Sequence, residues 1–222
     1  MGILYERGGL GKSALRERLR TFPAITQVHR TMEVSGVTTR SEATTAARPL
    51  DHLVIPGGFE TIVVDPPWPV KKVVRKVRPN QKAELDYVTM TLDEIKALPV
   101  QNIAADNAVL FLWTTHAFLE SAFDVMRAWG FKYQRCLTWD KANGVCFFGF
   151  HHRTELCLFG YRGKIEMYPR RKAIPTVFSG KSERHSAKPD EFYKLVEPLG
   201  ERRIDVFARR PRDGWTVWGN EV

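Results

Sequence analysis

Cysteine is scarce in this chain and poorly placed for bridging. Cys136, Cys146 and Cys157 are odd in number, widely spaced and set beside apolar residues such as Phe147 and Leu158, with no Cys-x-x-Cys pair. Neither a disulfide framework nor a thiolate zinc site is supported, and the three read as core thiols in a reducing compartment. No apolar run approaches membrane-crossing length and no signal-peptide core opens the chain, so the expected location is cytoplasmic, with no membrane partner. Acidic residues are also in deficit. Against 34 Lys and Arg stand 25 Asp and Glu, a formal charge of +9 with a pI near 9.6. Such a surplus favours polyanions, nucleic acid first, although a merely solvated basic surface has the same composition.

The 222 residues, 43% of them hydrophobic, suffice for one full core plus a tail. Residues 1–48 are polar and basic and read as an N-terminal arm, leaving 49–222 as the folded domain. Within the arm, Gly8-Gly9-Leu10-Gly11-Lys12-Ser13 looks like a phosphate loop. The motif needs glycine five positions before Gly11, where Glu6 stands, and there is no room for a preceding strand. Nucleotide hydrolysis is set aside.

The most informative stretch is Thr61-Ile62-Val63-Val64-Asp65-Pro66-Pro67-Trp68. Its unbroken β-branched run suits a strand covered on both faces, as in a parallel sheet flanked by helices. The two prolines have no amide hydrogens and a fixed φ, so the strand must stop there and hand over to a stiff loop with carbonyls free to accept. That combination suits one chemical problem. The N6 amine of adenine is a poor nucleophile because its lone pair is delocalised into the ring. Asp65 and the Pro66 carbonyl, accepting its two hydrogens, would favour a pyramidal nitrogen aimed at an electrophile. Trp68 would hold the base by stacking. An Asp that merely ends a strand, a proline turn and a core Trp make the plain alternative.

After Trp68, residues 71–82 carry Lys71, Lys72, Arg75, Lys76, Arg78 and Lys82 with no acid. Leaving the loop directly, this segment is placed to meet phosphates. Thr91-Leu92-Asp93-Glu94 is a capping box for a helix to about Leu98, ended by Pro99. A buried strand is expected over Ala108 to Trp113, a helix from His116 to Trp129 stopping at Gly130, and strands near Lys132 to Trp139 and Leu156 to Tyr161. His116 is either near the substrate or a capping or core residue. Glu155, a lone acid in an apolar stretch, is expected to brace the basic loops through an arginine. From Arg162 to Lys188 the chain reads as a second basic loop, with Arg170, Arg171 and Lys172. Two basic loops beside one strand-end pocket suit base extrusion. Pro189 opens a helix to about Val196, whose start and Lys188 offer positive potential to a carboxylate, with His185 and Ser186 as caps. Arg203 to Arg209 reads as a strand with Asp205 placed for ribose hydroxyls. Residues 214–221 form a short aromatic strand, an antiparallel edge tipped by Asn220 and Glu221. Alternating strand and helix argues for an open α/β sheet with ligands beyond the strand carboxyl ends.

In order across about residues 59–222, these segments resemble the family of the eukaryotic mRNA adenosine methyltransferase catalytic subunit and its bacterial and phage relatives. The resemblance rests on Asp65-Pro66-Pro67-Trp68, Ala128-Trp129-Gly130-Phe131, Trp139-Asp140-Lys141, His185-Ser186-x-Lys188-Pro189, Asp205-Val206-Phe207-Ala208-Arg209, and Trp215 with Gly219-Asn220-Glu221. It implies a Rossmann-like α/β methyltransferase fold, mostly parallel with an antiparallel edge, in the permuted beta-class motif order. It implies S-adenosylmethionine as cofactor and transfer of its methyl to adenine N6 in nucleic acid. Asp65, Pro66, Pro67 and Trp68 would be catalytic. Lys188 would meet the methionine carboxylate, Asp205 and Arg209 the ribose or its surroundings, Asn220 and Glu221 the nucleoside end, and Asp65 would border the cofactor as well. Asp205 stands where a longer Glu is common, and only Asp51 is available for the acidic cofactor segment upstream of the catalytic strand. No metal is required. A compact bacterial or phage enzyme acting on DNA is favoured over an RNA enzyme. The remaining alternative is a catalytically silent nucleic-acid-binding partner; a homodimer or partner subunit stays open.

Overall fold

The computed structural model describes residues 50–70, 89–141, 149–150, 153–164, 173–180 and 187–219. The arm 1–48, the basic residues Lys71, Lys72, Arg75, Lys76, Arg78, Arg170, Arg171 and Lys172, and the tip Asn220 and Glu221 lie outside them. Among the described residues seven strands form one sheet: β1 (Phe59–Val64), β2 (Ala104–Thr114), β3 (Lys132–Asp140), β4 (Thr154–Arg162), β5 (Val177–Ser179), β6 (Arg203–Val206) and β7 (Thr216–Trp218), in the spatial order β5-β3-β4-β2-β1-β6-β7. The expected β1 sits near the middle, parallel to β2 on one side and β6 on the other. The sheet is mostly parallel with helices on both faces, the expected Rossmann-like α/β architecture. In chain order the loop after β1 precedes the Lys188 and β6 segments.

Two expectations about the sheet need correction. The last strand is an edge but runs parallel to β6, and the antiparallel strand is β4, held inside the sheet between β2 and β3. The basic stretch from Arg162 to Lys188 is not all loop either, because it contains β5, which pairs with the carboxyl end of β3. Three residues are too few to show a period, so composition masked it.

Successive side chains of the central strands alternate between two faces, as pleating requires, and both faces are buried. Ile62 and Val64 of β1, Leu110 and Leu112 of β2, and Ile204 and Val206 of β6 pack on one face. There they meet helix α1 (Leu92–Lys96), the short α2 (Val100–Ile103) and α3 (Leu119–Ala128), through Ile95, Val100, Ala122, Val125 and Met126. Val63, Phe111, Trp113, Trp139 and Cys157 pack on the other face against Phe192, Tyr193 and Val196 of α4 (Asp190–Val196). The capping box is formed: Thr91 Oγ1 accepts from the Glu94 amide and Glu94 Oε2 accepts from the Thr91 amide at 2.8 Å. A 3-10 turn, His116–Phe118, precedes α3, and Gly130 follows it at φ 78°. Pro189 takes the N-cap of α4 rather than its first turn.

The turn into β1 depends on Gly58, at φ 67°, where an added Cβ would lie 2.6 Å from the Ala105 amide nitrogen. Gly58→Ala therefore meets both a left-handed backbone and immovable backbone atoms. It should lower stability by about 1–3 kcal/mol, read as a reduced midpoint in urea denaturation with an unchanged slope.

Candidate active site

The β1 ladder ends at Asp65, whose amide still donates to the Val206 carbonyl at 3.2 Å. Beyond it the loop is held by its own backbone: Trp68 N–H donates to the Pro66 carbonyl and Met90 N–H to the Pro67 carbonyl, each at 2.8 Å. The carbonyls expected to be free are thus each half used, with one lone pair left for a ligand. Trp68 also departs from an open stacking platform. It is 5% exposed, its ring stacks on Phe118 with centroids 5.5 Å apart, and its indole N–H donates to the Trp113 carbonyl at 3.1 Å. It anchors the loop and presents what remains of its surface to a cavity.

Two cavities open at the carboxyl ends of β1, β2 and β6 and share Asp65, Lys188 and Arg209 as a common wall. The first is further lined by Val63, Tyr193, Asp205, Phe207 and Ala208. The second is further lined by Pro66, Pro67, Trp68, Thr114, Thr115 and Glu155. Asp65, Lys188, Asp205 and Arg209, chosen from sequence, are thus brought together. Asp51 is not among them: it is exposed beside His52 in a 3-10 turn, Leu50–Leu53, packed near α2 at the amino end of β2. His116 is exposed at the rim, with its Nε2 2.9 Å from Thr154 Oγ1.

The common wall is charged and nearly closed to water. Lys188 Nζ lies 3.0 Å from Asp65 Oδ2 and 3.1 Å from Glu155 Oε2, and 4.7 Å from the centre of the Trp113 ring. Burial works against its charge, but the two carboxylates outweigh it and hold the ammonium above its ordinary pKa. Glu155 balances the other way: burial would raise its carboxyl, and Lys188 and Lys141 together bring it below the usual range. Its partners are thus two lysines and not the expected arginine.

Asp205 belongs to the α4 face. It pairs in register with Val63, it is 6% exposed, and its Oδ2 accepts from the Tyr193 hydroxyl at 2.6 Å. Burial dominates here and pushes the carboxyl up to about 7, the Tyr193 hydrogen bond opposing it. Tyr193 is in turn fixed by the Arg212 guanidinium, 3.6 Å from its ring centre, and Arg212 is tied to Asp190 at 2.8 Å. Sequence reasoning passed over Tyr193, Arg212 and the role of Lys141. Only Lys141 carried a signal, in Trp139-Asp140-Lys141. Among the described residues no cluster of three or more His, Cys, Asp or Glu could hold a metal ion, and no helix is long and apolar enough to cross a membrane.

A strand-end pocket with a carboxylate on a di-proline loop, in this sheet, is the arrangement expected of the resembled family. The chain belongs to the MT-A70 family, whose profile matches residues 59–221. It is 30% identical over 178 residues to a putative N(6)-adenosine-methyltransferase MT-A70-like protein of Medicago truncatula, covering 75% of this chain and 27% of that one. It is 28% identical over 178 residues to the catalytic subunit of human N(6)-adenosine-methyltransferase, covering 75% of this chain and 28% of the other. To the type II methyltransferase M.MunI of a Mycoplasma species it is 27% identical over 205 residues, 82% of this chain and 87% of that protein. The chain thus spans about a quarter of its eukaryotic relatives and most of the bacterial one.

Asp205 makes stability depend on pH with a definite sign. Its folded pKa of about 7 lies above the ordinary aspartate value of 3.8, so the folded state binds the proton more tightly. That contribution is complete below about pH 4 and is lost as pH rises through about 7. Asp205→Asn should be more stable than the parent at pH 8, by at most about 4 kcal/mol, with the difference closing toward pH 4 in parallel denaturation series.

Proposed function

We propose that the chain transfers a methyl group from S-adenosylmethionine to the N6 amine of adenine in nucleic acid, DNA in preference to RNA. The observation that carries this reading is the position of the Asp65 carboxylate, on the wall shared by two cavities, with its Oδ2 held by Lys188. A donor site on one side and an acceptor site on the other is the arrangement a direct transfer needs. Family membership and the net charge of +9 support the choice of substrate class.

The first cavity fits the nucleoside part of the cofactor. Asp205 Oδ2 is used by Tyr193, leaving Oδ1 to accept from a ribose hydroxyl, with Phe207 and Ala208 as apolar lining and Arg209 beside them. Asn220 and Glu221 are assigned to the same ligand by resemblance. When bound, S-adenosylmethionine supplies a methyl group made electrophilic by the sulfonium. The protein's part is then orientation.

In the second cavity Asp65 accepts one N6 hydrogen, and the remaining lone pair of the Pro66 carbonyl accepts the other. Both bonds strengthen as the nitrogen becomes pyramidal, so they favour the transition state over the planar amine. Trp68 and Pro67 form the wall that keeps the base in line. No strong base is needed, because the methylated ammonium is acidic and its proton passes readily to Asp65 or water. Lys188 works on the orientation of Asp65, since two of its three N–H donors are directed at Asp65 and Glu155. The basic residues of 71–78 and 170–172 are assigned to phosphates.

The preference for DNA rests on the likeness to the type II methyltransferase M.MunI, which the chain matches over 87% of that protein. The test is transfer of labelled methyl to matched single-stranded DNA, duplex DNA and RNA, followed by nucleoside mass spectrometry. Label on adenine N6, higher on DNA, is expected; label on another atom overturns the reaction and higher transfer to RNA overturns the polymer. Asp65→Asn should lower kcat by about 100-fold or more while S-adenosylmethionine affinity by calorimetry stays within a few-fold.

A further inference from the structure

We infer that Lys141 is a positioning residue for the acceptor carboxylate, acting at a distance through the ion chain Lys141–Glu155–Lys188–Asp65. The inference rests on the methyl-transfer reading of the site and adds to it a residue that follows β3, three positions along the sheet from β1.

Strand parity builds the chain. Val63 of β1, Leu137 and Trp139 of β3, and Cys157 and Phe159 of β4 all face α4. Counting by two, Asp65, Lys141 and Glu155 fall on that same face. They sit at the site end of three strands, with β4 between β2 and β3, and β2 between β4 and β1. Glu155 is opposite Trp139 in register, two residues before Lys141, and Lys141 Nζ bonds Glu155 Oε1. The gap across β2 is crossed by Lys188, whose ammonium rides over the Trp113 ring and reaches Glu155 on one side and Asp65 on the other. Four alternating charges thus run from β3 to β1, two ammonium groups and two carboxylates.

Such a chain holds its end only if every link is occupied. Glu155 uses Oε1 for Lys141 and Oε2 for Lys188, so its carboxylate has one orientation. With Oε1 released, the carboxylate is free to turn both oxygens to Lys188 and draw the ammonium off Asp65. Lys141 itself is rooted firmly: its amide donates to the Arg153 carbonyl at 3.0 Å, and Arg153 clasps Asp140 through two bonds of 2.5 and 2.6 Å. Its ammonium also lies 5.0 Å from the centre of the Trp139 ring. Its side chain is 31% exposed, so replacing it does not open the core. The competing role is a direct phosphate contact, which would make Lys141 part of substrate affinity instead.

The test uses the full chain with Lys141→Met, Lys141→Arg, Glu155→Gln and the double variant Lys141→Met/Glu155→Gln. Lys141→Met should lower kcat about 10-fold or more, with KM for nucleic acid and affinity for S-adenosylmethionine within about 3-fold. Lys141→Arg should recover most of kcat, and the double variant should be no slower than Glu155→Gln alone, because the two act through one path. A raised KM with a shallower salt dependence and an unchanged kcat would show a phosphate contact and overturn the inference. Additive losses in the double variant would overturn it too. Carbon-13 NMR of the Asp65 carboxyl gives a readout that needs no turnover: its resonance should move in Lys141→Met and return in Lys141→Arg. A resonance unmoved in Lys141→Met defeats the inference even if the wild-type chain methylates, whereas a wild-type chain that methylates no polymer defeats the proposed function and leaves the NMR result to decide the ion chain.

Discussion

The site follows from a missing hydrogen. Asp65 is the last residue of the β1 segment with an amide to give, and it gives it to Val206 on β6. Pro66 and Pro67 have none, so the sheet cannot continue, and the chain must leave at the point where parallel neighbours on both sides have created a crevice. Because β1 lies between β2 and β6, one residue borders both halves of that crevice. The two cavities share Asp65 for this topological reason, and Lys188 and Arg209 reach the same wall from segments on either side of α4.

Much of this was legible in sequence because the signals were strong and local. A β-branched run stopped by two prolines, a Thr-x-x-Glu box and a helix ended by glycine each have one dominant structural solution, and each formed. What was not legible depended on partners distant in sequence. Strand β5 is three residues long and is defined by pairing with β3, and the direction of β7 shows only in its parallel pairing with β6. Trp68 has the same composition whether it faces a base or a core; Phe118 and the Trp113 carbonyl, fifty and forty-five residues away, decide the matter. Glu155 showed as an odd acid in an apolar strand, but its lysines come from Lys141 and Lys188, which no spacing rule links to it.

Keeping Asp65, Glu155 and Lys188 largely under cover is costly unless their charges are neutralised, with Lys141 closing the series nearer the surface. Here they alternate in sign, and aromatic faces take the places water would hold, Trp113 against Lys188 and Trp139 against Lys141. The arrangement contributes little net stability beside an apolar core of the same volume. Its value is directional, since a carboxylate bonded by a buried ammonium has few orientations left. A carboxylate that must meet a single donor gains more from this than from depth of burial alone.

The first cavity shows the same preference for placement over stability. After β6 the chain turns at Phe207 with φ 66°, a left-handed conformation that a bulky residue adopts at some cost. The amides of Phe207 and Ala208 both then donate to the Trp218 carbonyl, and Gly219 passes so close that a Cβ there would lie 2.5 Å from the Ala208 carbonyl oxygen. This turn throws Ala208 and Arg209 across the carboxyl end of β1, where Arg209 borders both cavities. It also leaves Asp205 one residue short of the strand end, deep enough for burial to raise its carboxyl to about 7, yet on the face where Tyr193 can hold it. The left-handed turn at Phe207, the crowded Gly219 and the tyrosine held against Arg212 together fix where Asp205 and Arg209 stand at the end of β6.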